Sequence, residues 1–238
     1  MTPRVLVLAP FPDRVIARAK SEFGAIVSQE DVLPIADAVA ILEKTPSIEG
    51  LMFHGHYKMN TEAVEALPAR IKHLASASTG VDNIDLATAA KRGFVVTNAP
   101  EVLTDATADI ALLLMLGACR RMREYAEVMN SGWRRGYQFN EMLGTDFSGK
   151  TLGIFGFGRI GQAVAKRARA FGIKILYHNR RRVSPDLENG AQYFEKFHDM
   201  LPHCQILSLH APGGPATMNV LDAKAISQIG RASCRERV

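Results

Sequence analysis

Apolar positions run along this chain in two alternating rhythms. Short runs of β-branched and leucine residues are separated by longer stretches in which apolar residues return every three or four positions. In the first part RVLVLA, AIVSQ, GLMFH, HLASAS and FVVTN read as strands; they are too short for helices and are bounded by turn residues. The helical spacing predicts helices over about Asp13–Phe23, Ile35–Glu43, Thr61–Leu67 and Leu86–Arg92. Asn60 stands where an N-cap belongs ahead of TEAVEAL, and Gly93 follows ATAAKR as a C-cap with cations in the last turn.

A long helix is predicted from about Asp105 to Met129, with Asp105 and Asp109 near its start and Arg120, Arg121 and Arg123 further along, all suited to the helix dipole. SGWRRGYQFN and TDFSGK then have linker character. The second part continues with a strand TLGIFG, a helix at Ile160–Phe171, a strand KILYHN and a short AQYF. A helix around EKFHDML, a strand QILSLH and a helix LDAKAISQI follow. Strands alternating with helices predict an α/β protein with parallel sheets. A boundary near Asn98 divides residues 1–98 from 99–229, leaving 230–238 as a tail of different character.

Composition narrows the classes without choosing among them. At 47% hydrophobic and 22% charged, 238 residues can bury a sizeable core. The net charge is +5, of which Arg231, Arg235 and Arg237 against Glu236 supply +2. The remaining +3 is too small and scattered to argue for nucleic acid. Cys119, Cys204 and Cys234 are odd in number, far apart and outside any CxxC pair, so neither a disulfide framework nor a metal site is expected, and a reducing compartment is the natural setting. The opening MTPRVLVLAPFP is too short for a signal peptide and is broken by Pro10 and Pro12. The most apolar helical run, IALLLMLGAC, falls well below the roughly 18 residues of a membrane span. A cytoplasmic protein with no membrane partner is expected.

The candidate chemistry starts at GIFGFGRIG. Gly156, Gly158 and Gly161 have GxGxxG spacing, and the match follows an apolar strand and opens an amphipathic helix. Gly156 allows a tight turn, Gly158 lets backbone N–H groups approach a pyrophosphate, and Gly161 permits close packing of helix on strand. Phosphates would then meet the positive end of the helix dipole. About 20 residues beyond the motif an NAD site places an acid on the ribose hydroxyls. Here Asn179 stands eighteen positions after Gly161, followed by Arg180, Arg181 and Arg182. Guanidinium groups bind a 2′-phosphate that a carboxylate would repel, so the pattern reads as NADP(H), with NAD(H) possible.

ASTGVDNIDLATAAKRGFVVTNAP, TDATADIALLLMLGACRR and GKTLGIFGFGRIGQAVAKRARAFGIKILYHNR follow one another in this order. Together they resemble the D-isomer-specific 2-hydroxyacid dehydrogenases, most closely the NADPH-dependent glyoxylate/hydroxypyruvate reductases. The resemblance covers residues 1–229. It implies a flavodoxin-like substrate domain, an incomplete Rossmann dinucleotide-binding domain, an active site in the cleft between them, and a homodimer for the full-length family member. It also implies hydride transfer from NADPH to a small 2-oxo acid.

Carried over position by position, the resemblance implies that Thr79 and Gly80 offer backbone donors to the substrate carboxylate. His54 and Gly55, in FHGH, would line the same pocket. Thr107 would approach the nicotinamide, and Phe157, Gly158, Arg159 and Ile160 would hold the pyrophosphate. Asn179, Arg180 and Arg181 would meet the adenosine ribose, and His210, Ala211 and Pro212 would pass under the cofactor. STGVDNID also reads as a mere strand end, turn and helix cap, with Asp82 and Asp85 capping the next helix. His210 is read as packing, and His73, His178, His198 and His203 as structural.

Reducing a 2-oxo acid also requires a cation on the carboxylate and a general acid with a partner that tunes it. The family uses an arginine, a glutamate and a histidine beyond LDAKAISQI. GRASCRERV matches no such continuation, so the chain is expected to be truncated, with a foreign tail, no identifiable catalytic residue, at most weak cofactor binding and no meaningful turnover. Two alternatives stay open: a non-catalytic NAD(P)-binding regulator of the same fold, and a dehydrogenase for a different 2-hydroxyacid, such as phosphoglycerate.

Overall fold

A computed structural model describes residues 4–28 and 32–230. The chain divides into two compact units, Met1–Val102 and Leu103–Val238. Of the tail 230–238, read in the sequence as foreign to the family, residues 231–238 lie outside the described residues.

The first unit contains β1 (Arg4–Val7), α1 (Asp13–Phe23), β2 (Ile26–Val27), α2 (Ile35–Lys44), β3 (Ile48–His54), α3 (Thr61–Ala66), β4 (His73–Ala77), α4 (Leu86–Lys91) and β5 (Val95–Thr97). Its strands form one parallel sheet in the order β2-β1-β3-β4-β5, which is the flavodoxin-like winding. Alternation along the strands sorts the core. Leu6, Leu51, Phe53 and Leu74 join Leu42, Val64 and Ala89 on one face. Val7 joins Ala19 of α1 on the other, with Val5 and Met52 packed against them. Asn60 caps α3, its Oδ1 accepting from Ala63 N–H at 3.0 Å. Of the two aspartates expected to cap α4, Asp85 does so, accepting from Thr88 N–H at 3.1 Å. Asp82 does not; it stands three residues too early and lies in the turn beside Gly80.

The second unit contains α5 (Thr104–Cys119), α6 (Met122–Asn130), β6 (Thr151–Phe155), α7 (Arg159–Arg169), β7 (Lys174–His178), α8 (Pro185–Glu188), β8 (Gln192–Phe194), α9 (Phe197–Met200), β9 (Ile206–Leu209) and α10 (Ala223–Gln228). Its parallel sheet runs β8-β7-β6-β9, the arrangement of a Rossmann-like half in which the chain steps outward twice and then crosses back beside the first strand. One face packs Leu152, Ile154 and Tyr177 against α5 and α7; the other packs Phe155 and Leu176 against Phe197, Met200 and Cys204. The α/β class and both windings agree with the sequence.

The single long helix from Asp105 to Met129 does not form. It breaks between α5 and α6, where Arg121 takes a left-handed conformation with φ 53°. A distant segment accounts for the break. Thr145 N–H donates to the Cys119 carbonyl at 2.8 Å, and Gly144 packs so closely that a Cβ there would lie 2.6 Å from the same oxygen. The carbonyl at the end of α5 is thereby satisfied from outside the helix. Arg123 consequently falls in the first turn of α6, where it pairs with Glu127 at 3.0 Å.

Candidate functional site: a dinucleotide cradle at the switch point

β6 lies between β7 and β9, so its carboxyl end is the point where strand order reverses, the place where doubly wound sheets bind ligands. The glycine loop occupies this end. Gly156, at φ 96°, donates its N–H to the His178 carbonyl at 3.0 Å. A Cβ on it would lie 2.3 Å from the Ala211 nitrogen and 2.6 Å from the His210 carbonyl carbon. The His210–Ala211 backbone is therefore seated directly against the turn. A Cβ on Gly161 would meet the Gly156 carbonyl oxygen at 2.3 Å, which is how α7 closes onto β6. Beside Gly158 there is nothing within 4 Å of a Cβ.

That open space adjoins the start of α7, where Gly158 is the N-cap and no side chain caps the helix. The first N–H groups of α7 lack intrahelical acceptors and carry the positive end of its dipole. Arg159 is exposed, Ile160 half-buried and Phe157 buried. The Phe157 ring stacks on Tyr177 with centroids 4.4 Å apart. Open space at Gly158, uncapped donors and a basic loop nearby fit the phosphates of a dinucleotide.

Asn179 stands just beyond β7. Its Oδ1 accepts from Phe157 N–H at 2.7 Å, tying the end of the second strand to the glycine loop. The next three arginines differ from one another. Arg182 is committed to Glu188, Nε and Nη2 donating to the two carboxylate oxygens at 2.7 and 2.9 Å. Arg180 and Arg181 are exposed and have no partner among the described residues.

On the other side of β6, His210 follows β9. Its Nε2 lies 2.8 Å from the Ser208 hydroxyl, and burial pushes its pKa down, favouring the neutral ring. Thr107 of α5 and His210 line one groove of about 710 Å³, together with Leu114, Met115 and Leu209. Pro212 is exposed, its carbonyl accepting from the Thr217 hydroxyl at 2.9 Å.

The residues read as substrate-binding gather within the first unit at the carboxyl ends of β3 and β4. A Cβ on Gly55 would lie 2.9 Å from Ser78 Cβ, so the two loops are in contact. The Thr79 carbonyl accepts from Asn98 Nδ2 at 2.8 Å, and the Gly80 carbonyl from the Ser78 hydroxyl at 2.7 Å. His54 Nδ1 accepts from His56 N–H at 3.2 Å. The Thr79 hydroxyl is buried with no partner among the described residues, the condition of a polar group that a small polar ligand could satisfy.

The family described as "D-isomer specific 2-hydroxyacid dehydrogenase, NAD binding domain" matches residues 112–234. The chain belongs to this family. It is 37% identical over 231 residues to a glyoxylate reductase of Thermococcus litoralis, covering 95% of this chain and 69% of that protein. It is 35% identical over 230 residues to a glycerate dehydrogenase of Hyphomicrobium methylovorum, covering 95% and 70%. Among solved structures, the NADPH-dependent glyoxylate/hydroxypyruvate reductase of Sinorhizobium meliloti, crystallised with NADP and malonate, superposes with a TM-score of 0.82 at 30% identity, covering 96% of this chain and 68% of that one.

For a 2-hydroxyacid dehydrogenase, an oxidoreductase that binds a nicotinamide dinucleotide, one group at the cradle escaped the sequence reading. Glu188, the last residue of α8, is 6% exposed and joins Arg182 to the Tyr177 hydroxyl, which donates to it at 2.6 Å. The signal was Ser184-Pro185, an N-cap residue followed by proline at the first helical position. It opens a helix of four residues, too short to show any apolar period.

Proposed function

We propose that this dehydrogenase is built for NADPH and for a small 2-oxo acid of the glyoxylate or hydroxypyruvate kind, giving the D-2-hydroxy acid. The observation that carries the coenzyme reading is the pair Arg180 and Arg181, two exposed guanidiniums without a counter-ion among the described residues, next to an Asn179 where an NAD site carries an acid. An unspent guanidinium is a bidentate phosphate binder. The backbone at Gly156–Gly161 and the start of α7 would hold the pyrophosphate, and Thr107, His210, Ala211 and Pro212 would flank the nicotinamide half. Bound there, the reduced nicotinamide supplies the hydride.

Thr79 and Gly80 would donate backbone N–H groups to the substrate carboxylate, with His54 and Gly55 lining its pocket. The names borne by the relatives support a two- or three-carbon substrate. No described residue matches the family's arginine, glutamate and histidine, so residues 1–238 on their own are expected to bind coenzyme without turnover. For the full-length family member a homodimer is expected, a reading supported by the exposed apolar residues Ile110, Leu113, Leu114, Met122 and Met129 of α5 and α6.

The test follows coenzyme oxidation by the nicotinamide absorbance, with glyoxylate and with hydroxypyruvate, NADPH against NADH. It is run on this chain and on a version carrying a relative's C-terminal segment after Ile229. Turnover confined to the extended version, faster with NADPH, is the expected result. Unaided turnover by the 238 residues overturns the reading of the catalytic groups, and a preference for NADH overturns the coenzyme reading.

A further inference from the structure

The loop joining β7 to α8 is anchored at two points with two residues free between them. At its start, Asn179 accepts from Phe157 N–H through Oδ1 and from the Tyr193 hydroxyl through its carbonyl, at 2.7 and 3.3 Å. At its far end Arg182 grips both oxygens of Glu188, and Val183 N–H donates to the Tyr177 hydroxyl oxygen at 3.2 Å. Glu188 is itself fixed, since its backbone carbonyl accepts from Arg169 Nη2 of α7 at 2.8 Å. The buried Tyr177 links the two anchors, its ring stacked on Phe157 and its hydroxyl donating to Glu188. A continuous chain of contacts thus runs from the glycine loop through Phe157, Tyr177 and Glu188 to Arg182.

We propose that Glu188 is a positioning residue for coenzyme choice: by seating Arg182 and Tyr177 it sets the path of residues 179–183, so that Arg180 and Arg181 are the cations presented to a 2′-phosphate. The proposal rests on the NADPH reading above. A nearly buried carboxylate is costly unless paired, and a planar two-point grip by arginine meets that need while fixing direction. Its two donors hold the Glu188 carboxyl down to about 2, so the grip persists throughout the neutral range. A loop already fixed before binding loses less conformational freedom when the phosphate arrives. NADH has no 2′-phosphate and gains little from that fixing.

The experiment titrates the purified 238-residue chain with NADPH, NADH and adenosine 2′,5′-bisphosphate by calorimetry, alongside Glu188→Gln, Tyr177→Phe and the Arg180→Ala/Arg181→Ala double variant. Thermal melting is recorded for each. Glu188→Gln is expected to cut the ratio of NADPH to NADH affinity roughly tenfold, the size of one lost charge-assisted contact, with the bisphosphate following NADPH. Tyr177→Phe keeps the stack on Phe157 and should move the ratio the same way by less. It decides the matter if Glu188→Gln does not fold.

Equal weakening of both coenzymes marks a purely structural role and overturns the proposal, as does an unchanged or increased ratio. If the double variant abolishes the preference while the Glu188 and Tyr177 variants preserve it, the NADPH reading stands and the role of Glu188 falls. If the unmodified chain has no preference, or the double variant retains one, the NADPH reading fails and takes the proposal with it.

Discussion

The carbonyl oxygen of Gly156 occupies the place a side chain on Gly161 would need, 2.3 Å from its Cβ position, whereas a Cβ on Gly158 would meet nothing within 4 Å. Alanine at the two sites should therefore fail in opposite ways. Gly161→Ala gains about 1 kcal/mol of helix propensity, yet it must push α7 off the turn, and a net loss of about 2 kcal/mol in folding stability is expected. Gly158→Ala should leave the melting temperature of the free chain nearly unchanged and weaken NADPH binding by at least roughly tenfold, because its methyl fills the space the phosphates need. Melting curves with and without coenzyme separate the two. A Gly158 variant that binds normally would mean that the pyrophosphate lies elsewhere.

A second expectation concerns the first unit. Arg92, just past α4, donates to the carbonyls of Val64, Glu65 and Leu67 at 3.1, 2.7 and 2.6 Å and lies over the Phe94 ring. It closes the carboxyl end of α3, where the Val64 carbonyl otherwise receives only a long bond of 3.4 Å from Leu67 N–H. Arg92→Ala should cost about 2–3 kcal/mol, and Arg92→Lys should recover less than half of it, since an ammonium cannot span three carbonyls. Urea unfolding followed by circular dichroism reads both.

Acid should loosen the same unit through Asp85. Its carboxylate accepts from the hydroxyls of Thr61 and Thr88 and from Thr88 N–H, contacts that hold its pKa down to about 2. An unfolded aspartate titrates near 3.9. The folded state therefore binds the proton less readily than the unfolded one, and the contribution of Asp85 is complete above about pH 4 and lost as the pH falls toward 2. Asp85→Asn should flatten the dependence of the melting temperature on pH within that window and leave it unaltered at pH 5 and above. A slope that survives the substitution would assign the acid sensitivity to other carboxylates.

These elements were not equally legible in the sequence. The strands were, because a buried parallel strand must be a short apolar run and Leu6, Leu51 and Leu152 sit at the centres of such runs. The glycine loop was legible because spacing, preceding strand and following helix agree. The break between α5 and α6 was not: residues 105–129 contain no proline, and the group that ends α5 is supplied by Gly144 and Thr145, far along the chain. Arg182 looked equivalent to its two neighbours until Glu188, six residues on, was found beneath it. A local pattern reports periodicity and cannot report which of three like charges is already spent.

The bond from Phe157 N–H to Asn179 bears on how coenzyme choice can change over time. It uses the side-chain oxygen, which aspartate has in the same place, so the glycine loop keeps its tether if the amide becomes an acid. Asn179→Asp should fold as stably as the parent and shift its affinity ratio toward NADH, the new carboxylate accepting from the ribose hydroxyls and repelling a 2′-phosphate, as paired titrations would show. Asparagine and aspartate codons differ by one base. On the NADPH reading, a lineage carrying this loop thus stands a single base change from a weakened preference, with no loss of fold to delay that first step.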